Sequence, residues 1–230
     1  MRKSTTLSQE LFIGKEISPI IKSDISEEFR AIKREVLMSA FNEDNLVNKN
    51  RIMITSVNPK EGKSFCAYNL ARSISYEQDK QVLLVDCNVL SPKLATSDSN
   101  TPGLIDYLMS DKYSVQDIIN NSNIDQLKVI SLGSNSDYSN ELLSGKKMLD
   151  LLNEFRERYS DRVVIFDAPP LLGVNEAITL SHHIDQLILV VNEGVTNISD
   201  LEIVKKRLPE KTKTHYILNK SLTNNSWKTN

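Results

Sequence analysis

From Arg51 onward, short runs of apolar residues alternate with longer stretches whose apolar positions recur at helical spacing. The runs RIMITS, QVLLVD, QLKVIS, RVVIFD, QLILVV and THYILN are nearly continuous rather than alternating, as in strands buried on both faces. Helical stretches fall between most of them: GKSFCAYNLARSISYEQ, GLIDYLM, SVQDIIN, NELLSGKKMLDLLNEFRERY, NEAITLSHHI and SDLEIVKKRL. This order predicts an α/β fold, a mostly parallel sheet with helices on both faces. There is no internal repeat and no low-complexity segment.

The pattern ahead of Arg51 is different. Residues 1–22 are polar and aperiodic and read as a flexible arm. Ser23–Phe41 reads as a helix capped by Ser26, with Phe29, Ile32, Val36 and Leu37 on one face. A polar linker follows, so residues 23–45 form a helix-and-linker unit, residues 46–222 the main domain, and residues 223–230, with Trp227, a frayed tail.

Composition narrows the classes. The 230 residues are 40% hydrophobic and 25% charged with a net charge of −2, so there is no general pull toward nucleic acid, and no basic run supplies a local one. The start lacks an apolar leader, and no apolar run approaches the ~18 residues of a membrane span. Cys66 and Cys87 fit buried thiols in a reducing compartment. The expected location is the cytoplasm. His182 and His183 are adjacent, point in different directions on a helix, and read as a surface pair rather than metal ligands.

The chemistry is concentrated at three strand ends. RIMITS leads through a loop into Gly62-Lys63-Ser64 and a helix, the context of a phosphate-binding loop. There the helix N-terminus faces phosphates, Lys63 adds a point charge and the Ser64 hydroxyl can ligate Mg²⁺. The usual pattern has glycine at position 57, where this chain has Val57. RVVIFD ends in Asp167, placed to orient Mg²⁺ through water, and QVLLVD ends in Asp86. Both acids stand at C-terminal strand ends, where open α/β sheets bind ligands.

Together, TSVNPKEGKS, LLVDCNVLSP, NELLSGKKM and FDAPPLL resemble the bacterial tyrosine kinases of capsule and exopolysaccharide synthesis, most of all the exosortase-associated tyrosine autokinases. The resemblance spans about residues 23–220. It implies a P-loop NTPase-like fold whose loop dispenses with the first glycine and carries a proline, as at Pro59. It implies transfer of the ATP γ-phosphoryl group to tyrosine hydroxyls, with ATP and Mg²⁺ held by Pro59, Lys60, Glu61, Gly62, Lys63, Ser64 and Phe65, and with Asn219 near the adenine. Lys63, Asp86 and Asp167 are the implied catalytic residues; Asp86 takes the tyrosine proton, and Ser64, Asp86 and Asp167 surround the metal. Glu27, Arg30 and Lys33 match the family's oligomer motif with lysine last. The implied partners are further copies of the chain and a membrane chain-length (polysaccharide co-polymerase) protein, which would hold the chain peripherally at the inner face of the membrane.

The departures lie at the chemistry. The family's Asp-x-Asp-x-Arg reads Asp86-Cys87-Asn88-Val89-Leu90 here, losing one carboxylate and one guanidinium. Lys60 stands where glycine is common, at a cost on the order of 1 kcal/mol if φ is positive. Its charge could alternatively stand in for the lost arginine. The chain has no C-terminal tyrosine cluster; its last tyrosine is Tyr216. Two alternatives to a kinase follow: a nucleotide-binding adaptor of the same family with weak or no transfer, and a partition-type P-loop ATPase, whose signature loop lysine is replaced by Asn58.

Overall fold

The computed structural model describes residues 11–12, 23–44, 46–95, 101–134 and 136–220. In chain order the elements are β1 (Leu11–Phe12), α1 (Ser23–Ala40), β2 (Arg51–Ser56), α2 (Lys63–Ser75), β3 (Val82–Asp86), β4 (Leu94–Ala95), α3 (Leu104–Met109) and α4 (Val115–Ile118), then β5 (Asn120–Asn121), β6 (Leu127–Ile130), α5 (Ser139–Ser144), α6 (Lys146–Arg158), β7 (Val163–Asp167), α7 (Asn175–Ser181), β8 (Gln186–Asn192), α8 (Ile198–Arg207) and β9 (Lys213–Asn219). All six apolar runs become strands of one seven-stranded sheet in the order β5-β6-β3-β7-β2-β8-β9. It is parallel except for β5, which runs antiparallel to β6. β1 pairs with β4 in a separate two-stranded ladder, so Leu11–Phe12 of the expected arm is tied to the domain. The rest of that arm and the tail with Trp227 lie outside the described residues.

The inner strands β2, β3, β7 and β8 present alternate residues to two cores, which explains their unbroken apolar runs, whereas β9 is a largely exposed edge. Met53, Leu83, Val85, Val164, Phe166 and Leu189 pack with Leu104, Leu151, Phe155, Ala177 and Val204 on one side. Ile52, Ile54, Leu84, Ile165 and Ile188 lie against Phe29, Val36, Leu70 and Ile74 of α1 and α2 on the other. The apolar stripe of α1 therefore buries as expected, but α1 begins at Ser23, which puts Ser26 inside the first turn rather than ahead of it. The single long helix expected over residues 140–159 is two: Gly145 adopts extended backbone (φ −75°, ψ 165°) between α5 and α6. Glycine is among the weakest helix formers, and the chain turns there.

β2 has a buried ion pair at its start. Arg51 Nε and Nη2 donate to Asp185 Oδ2 and Oδ1 at 2.9 and 2.7 Å, and Nη1 donates to the Leu152 carbonyl at 3.2 Å. Arg51→Met leaves the Asp185 carboxylate without this fork and should cost about 3 kcal/mol, read as a lower urea midpoint with unchanged slope.

Candidate functional site

β2 delivers the chain to the phosphate-type loop, residues 57–62. Val57 is fully buried in the core, and it is absent from the positive-φ positions of the described chain, which among non-glycine residues are Lys60 and Lys220. A glycine is therefore not needed at position 57. The strain falls later, at Lys60 (φ 65°) and Gly62 (φ 102°). A Cβ on Gly62 would stand 2.0 Å from Asn219 Nδ2, so both backbone conformation and space demand glycine there. Lys60→Gly should relieve about 1 kcal/mol of left-handed strain, less the entropy glycine gains in the unfolded chain, whereas Lys60→Val should destabilise; thermal melts of the two variants decide this.

The loop is clamped from within and from the sheet edge. The buried Glu61 carboxylate accepts from the Asn58 backbone N–H at 2.9 Å and from Asn58 Nδ2 at 3.3 Å. It also accepts from the Thr196 hydroxyl in the turn before α8. Asn219 Nδ2 donates to the Glu61 carbonyl and Lys220 Nζ to the Lys60 carbonyl, both at 2.8 Å. Asn219, expected beside a base, thus bears directly on the loop itself. α2 then begins at Lys63, and the N–H groups of its first turn have no intrahelical partner and are free for an anion.

Two acids face this helix start. Asp86 and Asp167 are register partners at the ends of β3 and β7. Asp167 Oδ1 is buried without a hydrogen-bond partner and lies 4.0 Å from Lys63 Nζ. Burial raises the Asp167 pKa to about 7, against the pull of Lys63 and with the Asp86 charge adding to the rise; the Ser64 hydroxyl favours its charged form. Burial in turn lowers the Lys63 pKa, opposed by Asp167 and Asp86.

Asp86 is differently engaged. Its Oδ1 accepts from the Asn88 N–H at 2.9 Å, and its Oδ2 from the Lys93 and Leu94 N–H groups at 2.7 and 2.9 Å. Burial still raises its pKa, opposed by these bonds. Asp86 is the anchor of the loop that runs to β4. Asn88 Nδ2 donates to the Ser91 carbonyl at 2.7 Å, while its Oδ1 is buried and unpartnered. The Leu90 side chain is exposed.

The other sequence candidates separate by place. Pro59 is exposed, and Phe65 sits edge-on to Phe29 of α1 at 6.1 Å. Glu27 and Arg30 pair with each other on the exposed face of α1. Lys33 pairs within the chain with Glu77, in the turn after α2. Cys66 and Cys87 are buried free thiols; burial pushes Cys66 to about 12 and Cys87 well above its usual value. Thr196, Lys93 and Leu94 were not legible as site residues, because nothing in local spacing marks them.

Lys63, Ser64, Asp167 and the open first turn of α2 fit a magnesium–nucleotide. The orphaned Asp167 oxygen supplies a buried acceptor, and the αL turn at Gly62 supplies the cradle. Among the described residues no group of three or more His, Cys, Asp or Glu could hold a metal, so a cation here would depend on phosphate oxygens to complete its shell.

Residues 50–224 match a family model described as an AAA domain. The chain is 36% identical over 177 residues to tyrosine-protein kinase YwqD of Bacillus subtilis strain 168, covering 76% of this chain and 71% of that protein. It is 30% identical over 163 residues to tyrosine-protein kinase ptk of Acinetobacter johnsonii, covering 70% of this chain but only 22% of that relative. Among solved structures it is similar to the chimerical protein CapA2B2 (TM-score 0.70, 25% identity, 90% of this chain and 92% of that one). The kinase domain of VpsO superimposes with a TM-score of 0.67 at 25% identity, over 85% of this chain and 97% of that one. The septum site-determining protein MinD of Pyrococcus horikoshii, complexed with Mg-ADP, shares the fold alone, at a TM-score of 0.56 and 21% identity over 73% of this chain and 68% of that one.

Proposed function

The chain belongs to the bacterial tyrosine-protein kinase family, and from that premise we propose that it transfers the γ-phosphoryl group of ATP to protein tyrosine hydroxyls. The observation that carries this reading is the buried, unpartnered Asp167 oxygen 4.0 Å from Lys63 at the start of α2. At 4.0 Å the pair leaves a buried acceptor open beside a phosphate-type loop. Lys63 and the α2 N-terminus hold the phosphates, Ser64 ligates Mg²⁺, and Asp167 orients the metal's waters. Bound Mg²⁺ would supply charge neutralisation on the phosphate oxygens.

Asp86 keeps its proposed place beside the metal. For its role toward the tyrosine proton, Oδ1 accepts, among the described residues, only from the Asn88 N–H and keeps a lone pair open. Lys60 and Asn219 serve through the backbone of the loop that they shape. The wider role is tuning capsule or exopolysaccharide polymerisation and export, in an oligomer that uses Glu27, Arg30 and Lys33 and a membrane co-polymerase partner. Because Lys33 is already paired with Glu77, that contact exchanges one ion pair for another.

The adaptor reading has its own support in Asn88 and Leu90. Asn88 brings no charge, and the exposed Leu90 brings no donor to the loop beside the metal. The two readings separate when purified protein is incubated with Mg-ATP and its phosphotyrosine is mapped by mass spectrometry. Phosphotyrosine on the protein or on an added glutamate–tyrosine copolymer supports the kinase. Nucleotide bound without either product supports the adaptor.

A further inference from the structure

A tyrosine kinase that labels copies of itself needs an acceptor tyrosine, and the tyrosines of this sequence can be compared one by one. All seven tyrosines fall among the described residues, at positions 68, 76, 107, 113, 138, 159 and 216. Tyr159 is buried against Phe155. Tyr68 packs at the edge of the core under α1 and α2. Tyr107 and Tyr113 pack on the opposite core, and each carries a lysine over its ring. All four are less exposed than the remaining three.

Three tyrosines are exposed. Tyr76 is the C-cap residue of α2, its hydroxyl accepts from Arg72 Nε at 3.1 Å, and the Arg72 guanidinium lies over its ring. It stands at the far end of the helix from Lys63, about 20 Å along the axis. Tyr216 is held in β9, in register with Leu189 of β8, so its backbone cannot advance out of the sheet. Tyr138 is 69% exposed in the irregular segment between β6 and α5. Among the described residues its hydroxyl has no hydrogen bond and its ring no aromatic contact.

Tyr138 also stands on the correct edge. It follows the C-terminal end of β6, neighbour of β3, on the same sheet edge as the phosphate loop. Three strand spacings, about 14 Å, separate β6 from β2. Its surroundings are acidic, with exposed Asp137 before it and exposed Glu141 one helical turn after it. The rim of the phosphate site is basic, with exposed Lys60 and Lys93. An acidic, exposed acceptor and a basic rim on one edge suit two copies of the chain meeting edge to edge.

We propose that Tyr138 is the autophosphorylation site of this protein, presented to the phosphate site of another copy; this rests on the kinase reading above. The Tyr138 phenolic oxygen attacks the γ-phosphorus of ATP and forms a new P–O bond. The bond from that phosphorus to the β,γ-bridging oxygen breaks, ADP leaves with the electron pair, and the phenolic proton passes to the Asp86 carboxylate of the copy that holds the ATP, from which water removes it. No oxidant or reductant is required.

The test incubates the full chain and Tyr138→Phe with Mg-ATP, maps phosphotyrosine by mass spectrometry, and runs a glutamate–tyrosine copolymer in parallel. Phosphate on Tyr138, at least ~10-fold lower total phosphotyrosine in Tyr138→Phe, and unchanged copolymer phosphorylation are the expected results. An unchanged melting temperature is expected too, since the ring is exposed. Phosphate confined to Tyr76 or Tyr216 would overturn the site and leave the kinase standing. Copolymer phosphorylated with no label on the chain would do the same. Absence of both products would sink the kinase reading itself.

Discussion

Lys63→Ala abolishes phosphotransfer, with a loss of ~10³-fold or more in single-turnover rate and a matching collapse of nucleotide affinity. Among the described residues Lys63 is the one buried lysine, placed at the first position of α2 and facing Asp167 at 4.0 Å. A point charge in this desolvated setting acts on phosphate far more strongly than one in water. Removal also leaves Asp86 and Asp167 as neighbouring buried carboxylates without their cation. The apo variant then takes up a proton on Asp167 near neutral pH, which limits the damage to folding. Titration calorimetry with Mg-ADP and a thermal melt separate the two effects. Affinity within ~10-fold of the parent would remove Lys63 from the phosphate site.

Mg-nucleotide affinity falls as pH is lowered through 7, and Asp167→Asn removes the part of that slope that belongs to this carboxylate. With a pKa of about 7, Asp167 in the free protein is largely protonated at pH 6 and ionised at pH 8. Binding that requires the anion is then ~10-fold tighter at pH 8 than at pH 6 from this group alone. The nucleotide's own phosphate titrates in the same range, so the comparison with Asp167→Asn at both pH values is the measurement. The variant should bind ~10²-fold more weakly at pH 8 and show the shallower dependence. The folding consequence has a definite sign. A carboxyl raised above its unfolded value binds more protons when folded, so the apo protein loses stability from about pH 4 to about pH 7 and not beyond. A parent and variant with parallel pH profiles would exclude Asp167 from the metal's surroundings.

Much of this site was legible locally. Gly62-Lys63-Ser64 follows a strand and opens a helix, and that context depends only on neighbours. Asp86 and Asp167 end apolar runs, and a parallel sheet places such ends on one edge. The family resemblance already allowed for the absent glycine at position 57, and the structure gives the physical reason, with Val57 in the core and the positive φ values at Lys60 and Gly62. Gly145 inside an otherwise helical pattern was the visible mark of the break between α5 and α6.

Sequence by itself determined the order of the six apolar strands and of most helices between them, the parallel sheet and the strand ends that carry the chemistry. These follow from periodicity and turn chemistry, which act over a few residues. Only the tertiary structure decided how the polar groups are spent. Asp86 gives its lone pairs to N–H groups brought back by the loop that leads to β4. Asn219 braces the phosphate loop across a separation of 158 positions, and Arg51 finds Asp185 across 134. A hydrogen bond needs its partner within about 3 Å, and no local pattern states which distant residue the packed strands will bring that close.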